Sequence, residues 1–426
     1  MNHRGPTSGA KPRFVRNLLI ASLTLVVGGC GLLAGAGDGN PEPDPRAPQI
    51  SELRRVVPSS GLPDELYLQA SNNNLDVVRH NGRLFLAFRT APTHFASPLA
   101  ALYVVSSADE KHWRMEGMFV EWTDVREPRL LSYRGKLLLY YARLGTEMTA
   151  FEPLDAQVAI YHGPKNWSKP RPFYRRGFIP WRTKVIGGVA YMVGYVGGGS
   201  IVDGSRGGQA VHWLRSDDGL AWRAAVAGRP VVHRGGSSEA DFVLLKDGSL
   251  VAVMRNEGGD NDGWGSKICR AAADDLANWQ CRHDPRKYDS PLLFVHRDRV
   301  LLIGRRNVTA TGEFDLKRRT LPDRLAIFLN HMSYSTRRKR CAVWEVDANR
   351  RSVNWLTDLP SRGDTCFASL SPLDDDHYAV YNYSSPLEGG QDPVWLAAQL
   401  GPTSIYRHTL NLTARLRLAS VANKTH

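Results

Sequence analysis

Charged side chains are concentrated in one glycine-rich segment, RNEGGD, which places Arg255, Glu257 and Asp260 within six residues. Three charged side chains in such a segment do not contribute to a hydrophobic core, so they are candidates for ligand contact or proton transfer. An arginine binds a carboxylate through two parallel hydrogen bonds, and paired carboxyl groups provide the acid and base, or the acid and nucleophile, of glycosidic cleavage. A second candidate is the segment FRTAPTH, in which Arg89 and His94 flank the exit of a strand into a proline-containing loop.

A repeat of about 55 residues is expected to position these side chains. Each copy opens with two apolar runs around a turn that contains Gly or Asp, followed by Arg or Tyr, as in LDVVRHNGRLFLAFR at residues 75–89. Five further copies begin at Glu127, Trp181, Glu239, Asp289 and Asp364. A second hairpin in each unit ends in a tryptophan, and the first four of these, 54 to 57 residues apart, are Trp113, Trp167, Trp222 and Trp279. Six two-hairpin units predict an all-β chain folded as a six-bladed β-propeller.

In such a propeller the innermost strand of each blade begins at the face where the next strand ends, so polar residues at these junctions are expected to face one pocket. Further candidates chosen by this geometry are Asp76, Asp289 and Glu388. The residues predicted as catalytic carboxyls are Glu127, Glu239, Glu257, Asp260 and Asp364. Those predicted to bind substrate are Arg89, His94, Arg182, Arg255, Arg306 and Tyr383. For any one of them the alternative is a buried ion pair that only satisfies the end of an inner strand.

Two segments fall outside the repeat. Residues 53–57 are expected to add the outer strand of the last blade, after the strand at residues 406–412, and so to close the ring without an exposed edge. An arginine-rich insertion at residues 307–340 interrupts the fifth blade. It is either a lid over the pocket or a surface excursion, and we favour a role at the rim, because long ordered loops in compact domains are often functional.

The first 29 residues have the composition of a lipoprotein signal peptide, with a basic segment followed by the apolar run at residues 18–27. This run is too short for a spanning helix, which needs about 20 apolar residues. It ends in VGGC at residues 27–30, which resembles the bacterial lipobox, so lipidation of Cys30 is predicted. An ordinary signal peptide with an incidental cysteine is the alternative.

The remaining chain divides by composition. Residues 30–50 are rich in Gly, Pro and Asp and are expected to be a lipidated flexible linker. Residues 51–412 are expected to form the propeller, and residues 413–426 a frayed tail. The predicted location is the cell envelope, lipid-anchored. Gly31, as a residue other than Asp after the cysteine, favours the outer membrane by resemblance to Gram-negative lipoproteins.

Four cysteines remain once Cys30 is lipidated, and export would expose them to an oxidising compartment. Cys269 and Cys281 flank a hairpin turn across which they can meet, and Cys341 and Cys366 would form the second pair. Free buried thiols are the alternative. No cofactor, and no metal site, is expected from the spacing of Cys and His residues.

The formal net charge of +13 favours anionic partners, such as acidic glycans or phospholipid head groups. No segment resembles a nucleic-acid-binding motif, so nucleic acid is not an expected partner. Contact with a membrane is expected only through the N-terminal lipid, and the protein is expected to be a monomer.

The segment SDDGLAW at residues 216–222 resembles the Asp-box turn of sialidases and related propellers, and SADEKHW at residues 107–113 resembles a degenerate copy. Further segments, in order, resemble bacterial sialidase-like proteins over about residues 72–407. They are FRTAPTH, REP, IPWR, SSEADFVLLKDG, VMRNEGGDNDGW, IGRR, GDTCFASL and YNYSSPLEG. The resemblance implies a six-bladed propeller that acts on glycans.

The chain departs from true sialidases at two points. Those enzymes have an Arg-Ile-Pro element before the first blade, three arginines that bind substrate, and a tyrosine nucleophile paired with a glutamate. No Arg-Ile-Pro element is visible here, and Phe367 stands where many relatives have tyrosine. Because phenylalanine has no nucleophilic atom, the sequence argues against a retaining sialidase mechanism.

The function predicted from these observations is a surface-anchored glycoside hydrolase that acts on an anionic or polyhydroxylated glycan by carboxylate acid/base chemistry. The alternatives are a non-catalytic glycan- or protein-binding propeller and a scaffold in envelope assembly. The separation of the carboxyl groups distinguishes catalysis from binding, since hydrolysis requires about 5–5.5 Å for retention and about 6.5–9.5 Å for inversion.

Overall fold

The computed structural model describes residues 42–148, 150–197 and 208–413. These residues form a six-bladed β-propeller, as the repeat predicts. The signal peptide, Cys30 and most of the linker lie outside the described residues, as does the tail from residue 414 onward. Within the described residues no helix is long and apolar enough to cross a membrane.

The first strand, β1, spans Gln49–Val57 and belongs to the last blade. Blade 1 consists of β2 Ser71–His80, β3 Arg83–Ala91, β4 Ala101–Ser107 and β5 Trp113–Phe119. Blade 2 consists of β6 Asp124–Tyr133, β7 Lys136–Leu144, β8 Pro153–Gly163, β9 Asn166–Trp167 and β10 Arg171–Pro172. Blade 3 consists of β11 Phe178–Ile186, β12 Val189–Val196, β13 Gln209–Ser216, β14 Arg223–Ala224 and β15 Val231–Gly235.

Blade 4 consists of β16 Ala240–Leu244, β17 Leu250–Asp260, β18 Gly263–Ala271 and β19 Gln280–Asp284. Blade 5 consists of β20 Asp289–His296, β21 Arg299–Asn307, β22 Lys339–Asp347 and β23 Ser352–Asp358. Blade 6 consists of β24 Ser369–Pro372, β25 His377–Ser384 and β26 Ser404–Asn411, with β1 as its fourth strand. The helices are α1 Asp323–Ser335, within the insertion, and α2 Trp395–Ala398.

Local sequence explains the hairpins that begin each blade. In blade 1 the turn is Asn81-Gly82, with φ values of 46° and 75°. Two positive φ values match the right-handed twist of the paired strands, and Asn followed by Gly adopts them at low cost. Central strands such as β3 and β4 are buried on both faces along almost their whole length, and the hydrophobic core lies between adjacent blades. Phe85 and Leu102 of blade 1, for example, pack with Leu137 of blade 2.

The turns that resemble an Asp-box hold the outer strands. Oδ1 of Asp218 accepts hydrogen bonds at 2.8 Å from the backbone N–H groups of Leu220 and Ala221, and Trp222 packs against Tyr140 at 5.8 Å between ring centroids. In the first blade Asp109 makes the equivalent bonds to the two backbone N–H groups before Trp113. Both aspartates therefore satisfy turn amides and lie far from the axis.

Both disulfides are present in the structure. Cys269 and Cys281 are directly opposite each other on β18 and β19. Cys341, on β22, is bonded to Cys366, which precedes β24. The second bond therefore joins blade 5 to the segment that enters blade 6.

The ring is closed by β1, which pairs antiparallel with β26 as the sequence predicts. Val56 and Val57 are buried, and Glu52 accepts a hydrogen bond from Arg407 at 2.6 Å. The N-terminal strand thereby covers the edge that the C-terminal strand would otherwise expose.

Removal of β1 is expected to destabilise the propeller strongly. A chain that begins at residue 58 exposes the edge of β26 and loses the burial of two valines, each worth about 1.5–3 kcal/mol. Relative to a chain that begins at residue 42, we expect a lower thermal midpoint and concentration-dependent association. Differential scanning calorimetry and light scattering measure the two effects. Equal midpoints for the two chains would show that β1 does not close the ring.

Candidate functional site

One face of the propeller collects the beginnings of the inner strands and the ends of the second strands. In blade 1 Ser71 pairs with Ala91, and in blade 5 Asp289 pairs with Arg305, so both strand ends lie on this side. The loops on this side surround the propeller axis, and we call it the funnel face. Candidate residues from different blades are therefore brought to one place.

Bulges at the start of the inner strands redirect side chains there. The pairing of β6 is irregular after Arg126, and that of β20 is irregular after Asp289. Within these bulges Glu127 has a φ of 56° and Ser290 a φ of 53°, the left-handed conformation that is uncommon outside glycine. A bulge adds a residue to one strand and so changes which way the following side chains point.

The centre of the candidate site is Arg255, on β17. Its Nη1 lies 2.5 Å from Oε1 of Glu239, and its Nη2 lies 2.7 Å from Oε1 of Glu257. Its Nε donates to Oγ of Ser238 at 3.0 Å. The two carboxyl groups therefore occupy the two terminal nitrogens of one guanidinium. Their side chains are 9% and 21% exposed, so both stay within reach of a ligand in the funnel.

The surroundings of these two carboxyl groups give them different pKa values. Burial raises the pKa of Glu239 to about 7; Arg255 opposes this effect, and the charges of Asp289 and Glu257 add to it. Burial acts in the same direction on Glu257, but Arg255 and Lys287 outweigh it and lower the pKa to about 2. Near neutral pH Glu239 can therefore donate a proton while Glu257 stays ionised. Such a divided pair is how acid and base roles are assigned in many active sites.

Asp289 connects this pair to the rest of the face. Nζ of Lys287 lies 3.1 Å from Oε2 of Glu257 and 3.3 Å from Oδ1 of Asp289. Nη1 of Arg305 lies 3.2 Å from Oδ2 of Asp289, to which the hydroxyl of Tyr334 donates at 2.6 Å. Tyr334 belongs to α1 and is buried, so the insertion contributes a buried hydrogen-bond donor to this cluster.

A carboxylate–imidazole pair is formed by Asp364 and His94. Nδ1 of His94 lies 2.7 Å from Oδ2 of Asp364, whose Oδ1 accepts hydrogen bonds at 3.1 Å from both the Tyr383 hydroxyl and the Trp395 indole. Burial alone would raise the pKa of Asp364, but the charge and hydrogen bond of His94 lower it. An imidazole held through Nδ1 keeps Nε2 for proton transfer.

The two groups lie in different parts of the ring. His94 follows β3 of blade 1, whereas Arg255 is on β17 of blade 4, three blades away. In a six-bladed ring this places the imidazole across the axis from the two glutamates. A ligand in the funnel would lie between them.

Comparison with solved structures shows which known proteins share this fold. The structure is similar to a protein of unknown function from Dyadobacter fermentans, with a TM-score of 0.54, 17% identity, and coverage of 86% of this chain and 99% of that one. It is also similar to the sialidase of Trypanosoma rangeli, with a TM-score of 0.54 and 13% identity, over 89% of this chain and 61% of that one. The same sialidase in complex with the inhibitor DANA gives a TM-score of 0.54 and 13% identity, over 89% and 62%.

This chain therefore spans less than two thirds of the sialidase chains that it matches. No protein-family model matches the sequence, and no curated protein matches it. The structural similarity shows that the chain shares a propeller fold with these structures, and at identities this low it shows nothing more. What it does must be argued from its own side chains.

Arg89, predicted to bind substrate, is completely buried and does not face the funnel. Its Nε and Nη2 donate to Oδ1 of Asp124 at 3.2 and 2.7 Å, and its other bonds go to the carbonyl groups of Thr93 and Phe95. These two carbonyls flank His94. Arg89 is therefore a positioning residue for the imidazole.

Arg182 and Glu127 are also buried. The guanidinium of Arg182 donates to the carbonyl oxygens of Ser290, Pro291 and Ala368, which belong to blades 5 and 6. It therefore ties inner strands together and does not fit the predicted role in substrate binding. Oε2 of Glu127 has no hydrogen-bond partner among the described residues.

Arg306 and Asp260 lie apart from the cluster. Arg306 pairs with Asp358 at 2.5 Å, and it is Arg305 that faces Asp289, because successive residues of a strand point to opposite sides. Asp260 lies 2.8 Å from Nζ of Lys267, so the RNEGGD segment contributes only its arginine and glutamate to the site. Neither placement fits the predicted role.

The sequence analysis missed four residues of this face. They are Lys287, Arg305, Tyr334 and Trp395. Strand alternation carries a signal for Arg305, which pairs in register with Asp289. The other three come from a loop, the insertion and α2, and no repeat pattern marks them. Within the described residues no group of three or more His, Cys, Asp or Glu side chains is arranged to hold a metal ion.

Proposed function

We propose that this protein is a glycoside hydrolase that acts on an anionic or polyhydroxylated glycan. The observation that carries the proposal is the carboxyl pair on Arg255, in which burial raises the pKa of Glu239 to about 7 while Arg255 and Lys287 lower that of Glu257. Glycosidic cleavage requires a proton donor for the leaving oxygen and negative charge near the positive anomeric centre. The two glutamates supply these groups at one point of the funnel.

In the proposed step Glu239 transfers its proton to the glycosidic oxygen as the bond from that oxygen to the anomeric carbon breaks. The carboxylate of Glu257 stabilises the positive charge at the anomeric carbon. Water adds to this carbon and gives its proton to Nε2 of His94, which Asp364 holds from the other side. Water is the proposed nucleophile because Phe367 has no nucleophilic atom and the Tyr383 hydroxyl already bonds to Asp364 and Arg305.

We further propose that Cys30 carries a lipid that anchors the protein in the cell envelope, at the outer membrane. The path of the chain supports an orientation for the anchored protein. β1 starts at Gln49, which pairs with Asn411, and Asn411 pairs with His377 at the start of β25. The chain thus enters the ring at the face opposite the funnel. Anchored there, the funnel would open away from the membrane.

A non-catalytic glycan-binding propeller is the second candidate. Two aromatic side chains favour it, since Tyr67 is 79% exposed and Trp122 is 77% exposed. Both lie in loops that lead into inner strands, hence at the funnel face. Exposed aromatic rings are suited to stack on sugar rings, which gives affinity without chemistry.

Turnover of glycosides by the protein from residue 42 onward tests the proposal. We expect hydrolysis of one or more members of a panel of fluorogenic glycosides and acidic bacterial polysaccharides, and a loss of about 10²-fold or more in kcat for Glu257→Gln. Asp260→Asn is the matched control from the same segment. It should retain activity, because Lys267 keeps Asp262 as a partner at 2.6 Å.

The outcomes separate the two candidates. Binding of panel members without turnover, lost on substitution of Trp122 by alanine, would replace the hydrolase with the binding protein. Equal activity of Glu257→Gln and the unmodified protein would remove this pair from the mechanism.

A further inference from the structure

A buried guanidinium without a protein partner lies near the propeller axis. Arg129, on β6, is 0% exposed, and none of its three nitrogens has a hydrogen-bond partner among the described residues. The indole nitrogen of Trp181, on the neighbouring inner strand, also lacks a partner there. Almost all buried polar groups in proteins are hydrogen-bonded, so a cluster of unpaired N–H donors marks a place built to receive an acceptor.

Two of the three carboxylates whose charges act on Arg129 are bonded to other donors, and Glu127 is the third. Asp76 accepts hydrogen bonds from the backbone of Leu130 and from Ser369. Asp241 accepts from Lys184 and from the backbone N–H groups of Phe242 and Leu293. Their oxygens are thus directed to other donors, although their charges act on Arg129 at longer range.

A second guanidinium shares this region. The guanidinium carbon of Arg129 lies 4.4 Å from the centre of the Phe367 ring and 5.3 Å from that of Trp181, while that of Arg182 lies 5.6 Å from Phe367. Burial and the charge of Arg182 lower the pKa of Arg129 to about 9, so both groups are cations at neutral pH. Two buried cations near one aromatic ring repel each other, and an anion beside them would reduce that repulsion.

We propose that Arg129 and Trp181, whose N–H groups have no partner among the described residues, form a binding site for a small monovalent anion of the size of chloride near the propeller axis, with the charge of the neighbouring Arg182 adding to the attraction. The donors are all N–H groups, which suits an anion and excludes a metal cation. Complete burial limits the ligand to a small ion. Glu127 lies two residues from Arg129 along the bulged strand, and its charge already balances part of the positive charge of Arg129, which favours a monovalent ion over a divalent one. The donors of this site differ from the residues of the carboxyl pair on Arg255, although the charge of Glu239 acts on Arg182.

Thermal unfolding of the protein from residue 42 onward tests this site, with chloride as the probe. At constant ionic strength, exchange of sodium gluconate for 0.2 M sodium chloride should raise the midpoint by about 3 °C if the dissociation constant is about one hundredth of that concentration, because the anion binds only the folded state. In Arg129→Met this rise should vanish. In gluconate the variant should unfold at nearly the same temperature as the unmodified protein, since the substitution removes a buried charge that makes no hydrogen bond among the described residues and that carboxylates compensate only at longer range.

Arg223→Met is the matched control, because Arg223 pairs with Asp217 at the surface and its loss should leave the chloride effect intact. The proposal would be overturned if chloride left the thermal midpoint of the unmodified protein unchanged. It would also be overturned if chloride raised the midpoint of Arg129→Met as much as that of the unmodified protein. Diffraction from bromide-soaked crystals of the unmodified protein provides a test without a variant. An anomalous peak beside Arg129 supports the site, and its absence would overturn the proposal.

Discussion

Replacement of Glu239 by glutamine is expected to lower kcat by about 10²–10⁴-fold, the usual contribution of a general acid. The substitution keeps the shape of the side chain and leaves an oxygen that can accept the 2.6 Å hydrogen bond from the backbone of Ser290. It removes the transferable proton and places an amide NH2 group where Oε1 faces Nη1 of Arg255 at 2.5 Å. Steady-state kinetics on whichever glycoside the protein hydrolyses give the measurement.

The pH dependence of the same reaction gives an independent check. Because the pKa of Glu239 is raised to about 7, the acid is protonated below that pH, and activity should fall as the pH rises through 7. This limb of the profile should be absent in the residual activity of Glu239→Gln. If the activity of Glu239→Gln still falls as the pH rises through 7, the group that loses its proton there is not Glu239.

The free energy of unfolding should also depend on pH through the titration of Glu239. The folded-state pKa of Glu239 lies above the ordinary value of 4.5, so the folded state binds the proton more tightly than the unfolded state does. The stabilisation that this provides is complete below about pH 4.5 and is lost as the pH rises through 7. Glu239→Gln should therefore lose less stability than the unmodified protein between pH 5 and pH 8.

The largest loss of stability is expected from Asp124→Ala. Asp124 is completely buried and lies between Arg89, at 2.7 Å, and Arg126, which also bonds to it. Removal of one partner of a buried ion pair costs about 3–5 kcal/mol, because the other charge stays buried without compensation. Urea unfolding measures this loss in the free energy of unfolding.

Asp217→Ala is the control for this experiment. Asp217 pairs with Arg223 at 2.5 Å on the surface, where both charges remain hydrated, so no measurable change is expected. A similarly small effect for Asp124→Ala would show that Arg89 and Arg126 find other partners. Since Arg89 also holds the carbonyls on both sides of His94, the variant should lose activity at temperatures where it remains folded.

The number of blades and the closure of the ring follow from local sequence. A hairpin depends on strand alternation and a two-residue turn such as Asn81-Gly82, both of which are visible within about fifteen residues. Repetition of that unit six times leaves few folds other than a six-bladed ring. The need to cover the edge of β26 then made the short apolar segment before the repeats a predictable strand.

The sequence also located the segments of the site, but not the side chains that compose it. Arg255, Glu239, Glu257, His94, Asp364 and Tyr383 were selected because strand ends converge at one face, and the structure brings them to that face. Arg306 was selected where Arg305 faces the funnel, because a one-residue difference reverses the direction of a strand side chain.

Tertiary structure alone decided the rest. Arg89 lies inside the protein because Asp124, on the next blade, meets it there, and Arg129 lies over Phe367 because the bulge in β6 directs it to the axis. The pKa of Glu239 depends on burial and on Asp289, which is fifty residues away in the chain. Sequence determined the repeating local structure, since each hairpin is encoded within itself. The charges that meet at the axis come from separate blades, and only the closed ring brings them into contact.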